Sequence, residues 1–235
     1  AAAMMPEGSE DVDAWEYLGL ECAGTIRQVG QGVSGLAPGD RVMAPGKGCL
    51  GSAVRVPAAA VQPIPPGVSF VGAATVPTAF MTAHYALNHL ARMAPGERVL
   101  IHVATGGVGL AAIQLCRRRG CEIFATAGSE AKRAHLRQLG IEHVMDSRSL
   151  DFADEVLAAT SGRGVDIVLN SLPGPFIDKG LAILAPFGRF LEIGKRDLFA
   201  DKPIGLRALR NANTFFTVDL DGLGRERGAE LARVF

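Results

Sequence analysis

Residues 98–119, RVLIHVATGGVGLAAIQLCRRR, decide the fold. Their centre is Val103-Ala104-Thr105-Gly106-Gly107-Val108-Gly109, set between a short apolar run, Arg98–Val103, and a helix-like stretch, Leu110–Arg119. Strand, glycine turn and helix in that order is where a dinucleotide-binding fold places its phosphate turn. Gly106 and Gly109 let the backbone approach a pyrophosphate and let helix pack on strand, and a helix beginning near 107 aims its N–H groups at an anion. The usual first glycine of G-x-G-x-x-G is Ala104 here. The bare spacing therefore leaves open a tight strand–helix turn with no ligand.

Working outward, the chain alternates from residue 79 to its end. A helix over Ala79–Ala91 stops at Met93-Ala94-Pro95-Gly96. Beyond the turn come strand Glu122–Thr126, helix Glu130–Leu139, a weak strand His143–Met145 and helix Asp151–Ala159. Strand Val165–Asn170, helix Pro175–Leu184, strands Arg189–Ile193 and Thr214–Leu220, and a last amphipathic helix near 223–234 complete it. Strands alternating with helices imply βαβ units and a parallel sheet, and continuous apolar strands imply helices on both faces.

Before residue 79 the texture differs. Short β-type runs, Glu21–Val29, Asp40–Met43 and Ser52–Val56, are separated by turns such as Ala37-Pro38-Gly39-Asp40 and Pro63 to Gly67. This pattern suggests a small barrel or sandwich. The 29 glycines and 13 prolines divide between these turns and the phosphate turn. A hydrophobic share of 48% is too high for a disordered chain. Lys+Arg and Asp+Glu balance at 24 each, which disfavours a broad nucleic-acid surface or a polybasic membrane anchor. No apolar run nears the ~18 residues of a membrane span, no leader is visible, and a cytoplasmic setting is expected. Cys22, Cys49, Cys116 and Cys121 form no C-x-x-C pair, so free, partly buried thiols and no metal site are expected. The 235 residues read as a piece of something longer.

The second strand of the alternating region ends at Thr126-Ala127-Gly128 without the carboxylate that holds a ribose 2′-OH in an NAD site. Ser129, Lys132 and Arg133 follow instead. A hydroxyl and two cations suit a 2′-phosphate, and hence NADPH, through charge-assisted hydrogen bonds of roughly 1.5–3 kcal/mol each. The competing reading makes Ser129 a helix cap and the two cations a solvated face.

Together, Leu18-Gly19-Leu20-Glu21-Cys22-Ala23-Gly24, residues 99–114 (VLIHVATGGVGLAAIQ), residues 80–87 (FMTAHYAL), Asn170-Ser171-Leu172 and residues 188–197 (GRFLEIGKRD) resemble the medium-chain dehydrogenases/reductases. More closely, they resemble enoyl reductase domains of modular polyketide synthases and animal-type fatty acid synthases. The resemblance implies a partial GroES-like β-barrel substrate domain over residues 1–78. It implies an NADPH-binding Rossmann domain, a doubly wound parallel sheet, over 79–235. The implied reaction reduces the α,β-double bond of an enoyl thioester carried on the phosphopantetheine of an acyl carrier protein, among neighbouring synthase domains. Zinc-dependent members carry His before the Glu where this chain has Leu20-Glu21, so a zinc-free reductase is implied.

The resemblance also assigns roles. Thr82, Ala104, Thr105, Gly106, Gly107, Val108 and Gly109 would meet the nucleotide, with Asn170, Ser171, Leu172, Ile193 and Gly194 further along the same edge. Lys195 and Asp219 are the candidates for protonating the enolate or positioning water. The Tyr used by some members has no counterpart in residues 47–55, KGCLGSAVR. His102 reads as a satisfied core histidine, and His84 and Tyr85 as packing residues. The rival functions are a free-standing quinone or enone oxidoreductase of the same fold and a redox-silent, cofactor-binding module.

Overall fold

Apolar runs flanked by helices force a sheet buried on both faces, and that sheet dominates the computed structural model, which describes residues 18–234. The chain divides into two compact units, with the boundary between Thr78 and Ala79. In the first, β1 (Glu21–Thr25), β2 (Arg41–Pro45) and β3 (Gln62–Pro63) form an antiparallel sheet in that order, with Ala23 opposite Met43. Helix α1 (Phe70–Ala73) follows, its Ser69 hydroxyl accepting from the Gly72 amide at 3.1 Å. The Arg41 guanidinium lies 4.6 Å over the Phe70 ring and donates to the Val68 carbonyl. The Glu21 carboxylate accepts from the Thr78 amide at 2.8 Å.

Ser52–Val56, expected as a strand, is irregular. It lies between Gly51 and Pro57, and among the described residues no strand takes up its ladder hydrogen bonds. The expected strand Glu21–Val29 ends at Thr25.

The second unit is the alternating region. Helix α2 (Pro77–His84) continues as π-helical turns over Tyr85–Leu90, where the Ala91 amide reaches the Ala86 carbonyl. Then come β4 (Arg98–Ile101), α3 (Gly107–Arg119), β5 (Glu122–Ala127), α4 (Glu130–Gln138), β6 (His143–Asp146) and α5 (Phe152–Ala159). Next are β7 (Val165–Asn170), α6 (Pro175–Ala182), β8 (Leu184–Glu192), α7 (Arg196–Phe199), β9 (Thr214–Thr217), α8 (Leu220–Glu226) and α9 (Gly228–Val234). The strands are all parallel in the order β6-β5-β4-β7-β8-β9. This is the doubly wound order, with the direction of winding reversing between β4 and β7. The expected final helix is two helices broken at Arg227.

Strand periodicity explains the continuous apolar runs. Val99, Ile101, Ala125, Ile167, Leu169 and Leu191 join one core with Ala83, Leu87, Ala112, Ile113 and Leu136. Their neighbours Leu100, Phe124, Val168 and Phe190 join a second core with Phe152, Val156, Ile177 and Leu181 on the other face.

The expected strand Arg98–Val103 ends at Ile101, and the chain turns over residues 102–106. Val103 there has φ +52°, a left-handed conformation that is costly for a β-branched residue. At Gly109 a Cβ would stand 2.6 Å from both the Cα and the carbonyl oxygen of Ala104. Glycine is thus required for α3 to approach the end of β4. Gly109→Ala is expected to destabilise the fold by about 1–3 kcal/mol, the usual cost of overpacking, read as a lower urea midpoint. An unchanged midpoint would contradict this close approach.

Candidate functional site

Parallel strands place every βα loop at one edge, so the residues following β4, β5, β7, β8 and β9 share the carboxyl edge of the sheet. Backbone bonds stitch that edge together: Ala104 N–H to Thr126 O, His102 N–H to Leu169 O, Ile193 N–H to Asn170 O and Val218 N–H to Glu192 O, all between 2.8 and 3.0 Å. Ligands bind beside such an edge where the strand order reverses, here between β4 and β7.

Ala104 is fully buried behind the turn, and Thr105 is partly exposed. Gly106 is the N-cap of α3, and Gly107, Val108 and Gly109 form its first turn. A glycine cap offers no side-chain acceptor, so the leading amides of α3 are available to an outside one. Thr126, absent from the sequence-based site, anchors this turn. Its hydroxyl accepts from the Val103 amide at 3.3 Å and lies 3.0 Å from His102 Nδ1. The His102 ring packs edge-on against Phe152, and burial pulls its pKa down to about 3, so it is neutral. His102 is only half satisfied, because Nε2 has no partner. Thr82 lies buried on α2.

At the end of β5, Ser129 caps α4 by accepting from the Lys132 amide at 3.4 Å. The Lys132 side chain is exposed. Arg133 is committed elsewhere: to Glu130 at 3.0 Å, to Asp146 at 2.9 Å and to the Ala127 carbonyl at 3.1 Å. A different cation stands at this corner. A Cβ on Gly128 would lie 3.2 Å from Arg148 Nε and 3.3 Å from Ser147 Oγ. The sequence signal for Arg148 was weak, since it follows β6, well beyond Gly128 along the chain.

At the ends of β7 and β8, Ser171 is exposed and Asn170 is fully buried. The Asn170 amide exchanges hydrogen bonds with the Leu172 backbone at 2.8 and 3.1 Å, and its Nδ2 also donates to Glu192 Oε2 at 2.5 Å. Glu192 Oε1 accepts from the Gly194 amide at 2.6 Å. A Cβ on Gly194 would stand 2.5 Å from that oxygen, so glycine is needed there too. Glu192 was not among the sequence-based candidates.

Lys195, expected just beyond one strand, and Asp219, expected on the next but found past the end of β9, meet. Lys195 Nζ is 3.2 Å from Asp219 Oδ1 on the partly exposed edge. Partial burial works against the Asp219 carboxylate, but the Gly222 amide and the Lys195 ammonium outweigh it and hold its pKa below the ordinary value. Asp219 is therefore ionised at neutral pH and has no proton to give. Among the described residues no three His, Cys, Asp or Glu side chains group to hold a metal ion, and the four cysteines are free.

Burial raises Glu192 from an ordinary 4.5 to about 7, against the bonds from Asn170 and Gly194, with Asp197 adding to the rise. Between those two values the folded chain binds a proton that the unfolded chain has released. This group's contribution to stability is therefore full below the lower value and falls as pH rises through the higher one. Glu192→Gln is expected to flatten this part of the profile, measured as urea midpoints from about pH 5 to about pH 8. Identical slopes for wild type and variant would contradict the assignment.

Comparison with known proteins agrees with this geometry. Residues 107–218 match the family described as zinc-binding dehydrogenase, and residues 4–66 match the alcohol dehydrogenase GroES-like domain. The donor set that zinc needs is not found among the described residues. Over 204 residues, 87% of the chain, it is 50% identical to a phenolphthiocerol/phthiocerol polyketide synthase of Mycobacterium tuberculosis, of which it spans 9%. The CurK enoyl reductase superposes with TM-score 0.83 at 43% identity, over 92% of this chain and 64% of that one. The nucleotide-binding subdomain of the enoylreductase domain of PpsC from Mycobacterium tuberculosis gives TM-score 0.62 at 52% identity, over 66% and 88% respectively. With a doubly wound sheet, a glycine phosphate turn and these relatives, the chain belongs to the medium-chain dehydrogenase/reductase family, among the enoyl reductase domains of polyketide synthases.

Proposed function

We propose that this chain uses NADPH to reduce the α,β-double bond of an enoyl thioester carried on an acyl carrier protein during polyketide chain extension. The observation that carries this reading is the Lys195–Asp219 pair, 3.2 Å apart on the same sheet edge as the glycine turn. Enoyl reductase domains of this fold act with a nicotinamide nucleotide, and the turn fits one: the helix amides have no side-chain acceptor, and Gly109 brings them against β4. The pyrophosphate would lie on residues 104–109, and the nicotinamide half beside Ser171, Leu172, Ile193 and Gly194, with Thr82 on α2. Asn170 acts from beneath by fixing the Leu172 backbone.

Selectivity for NADPH rests on the corner after β5. No carboxylate stands at Gly128 to take a ribose 2′-OH, while Ser129, Lys132 and Arg148 offer a hydroxyl and two exposed cations. Arg133 supports this corner by neutralising Asp146 and Glu130 rather than by facing the ligand. Bound NADPH supplies hydride to the β-carbon of the enoyl group. The enolate left on the thioester needs a proton at the α-carbon, which Lys195 Nζ donates while Asp219 holds the ammonium in place. Neighbouring synthase domains would present the carrier protein.

Three outcomes test this. NADPH oxidation is expected with crotonyl thioester on carrier protein and not with a soluble quinone. The reverse preference favours the quinone reductase reading, and NADPH binding without turnover of either favours a redox-silent module. Lys195→Ala should lower turnover by about 10²–10⁴ while leaving NADPH affinity unchanged. Unchanged turnover removes Lys195 from the mechanism. Replacing Lys132 and Arg148 together by Ala should raise the KM for NADPH at least about tenfold and leave that for NADH unaltered. Equal effects on the two nucleotides contradict the phosphate assignment.

A further inference from the structure

Of the two buried acids at the carboxyl edge, Glu192 and Asp197, neither of which the reduction uses, Glu192 is the more deeply buried. Glu192 closes β8 at 2% exposure, and both of its oxygens are engaged. Oε1 takes the Gly194 amide directly, and Oε2 takes Asn170 Nδ2, whose amide group in turn fixes Leu172 through two bonds. One carboxylate therefore holds two loops, 193–194 and 171–172.

The ionisable groups facing it are few. Just past the end of β4 stands His102, which burial keeps neutral. On α7 there is Asp197, paired with Lys202 at 3.2 Å. Lys195 precedes α7 and pairs with Asp219 beyond β9.

A carboxylate accepts strong, charge-assisted hydrogen bonds at both oxygens, whereas the hydroxyl oxygen of a carboxylic acid carries a proton and accepts more weakly. Once Glu192 is protonated, that oxygen faces either the Gly194 N–H or the Asn170 amide nitrogen, both of them donors. Asn170 can accept from the new O–H only by turning its amide over, and that breaks both bonds to Leu172. Each arrangement of the acid therefore weakens the hold on one of the two loops.

We propose that ionised Glu192 is the positioning residue that holds the Ser171–Leu172 and Ile193–Gly194 loops for nucleotide binding, and that its protonation loosens one of them, so nucleotide affinity follows pH. This rests on the reading that NADPH lies along this edge. Burial working against the two hydrogen bonds sets the transition near neutrality.

Two measurements test it. Proton–nitrogen correlation spectra of the wild-type chain without nucleotide, recorded from about pH 5.5 to about pH 8.5, should show the Gly194 and Leu172 amides and the Asn170 side-chain amide moving through one common step. That step should be missing in Glu192→Gln. NADPH affinity, read by its fluorescence, should weaken about tenfold more in wild type than in the variant between about pH 8 and about pH 6. Comparing the two proteins removes the titration of the 2′-phosphate itself. Glutamine places an amide donor where the carboxylate accepts, so at about pH 8 the variant should bind about tenfold more weakly than wild type, and at about pH 6 the two should converge. Parallel pH profiles, or amides without a common step, overturn the proposal. Wild type that binds no NADPH overturns the nucleotide reading, while the amide titration, which needs no nucleotide, decides the latch by itself.

Discussion

The approach of α3 to the end of β4 is the contact on which the rest depends. It exists because residue 109 has no Cβ to meet the backbone of Ala104. With α3 seated there, its uncapped amides open at the carboxyl edge, where the winding of the sheet reverses. The turn that joins them holds Val103 at a positive φ, and the Thr126 hydroxyl on the neighbouring strand receives its amide. A small deviation at this junction would displace every group assigned to the pyrophosphate.

Around that junction the edge carries several buried polar groups. Asn170, Thr126, His102 and Glu192 are each under 5% exposed, yet all sit at strand ends beside the site. Such groups are costly unless their hydrogen bonds are made, and here they are made mostly to loop backbone. Their bonds fix Leu172, Gly194 and Val103, so the apolar core below and the edge above are joined through buried polar side chains.

What was legible in the sequence follows the range of the interactions involved. The glycine turn could be read because turn chemistry is local, and the six strands because each alternates between two apolar cores. Ser52–Val56 misled because a strand exists only with a neighbour to pair with. The length of the last helix misled because nothing in its amphipathic pattern marks the break at Arg227. In the site, Lys195 and Asp219 came from resemblance, and the fold brought them together. Arg148 reaches Gly128 from the next strand, Arg133 turns to Asp146, and Glu192 closes on Asn170 from 22 residues away. These are tertiary contacts, invisible to spacing along the chain.

The most direct test follows the hydrogen that is transferred. The chain is supplied with NADPH carrying deuterium at the transferring C4 position of the nicotinamide and with crotonyl thioester on carrier protein, and the product is read by mass spectrometry. The expected product is a saturated thioester with one deuterium at the β-carbon and a solvent-derived hydrogen at the α-carbon. Deuterium at the α-carbon, or an unreduced thioester in the presence of bound NADPH, would contradict it.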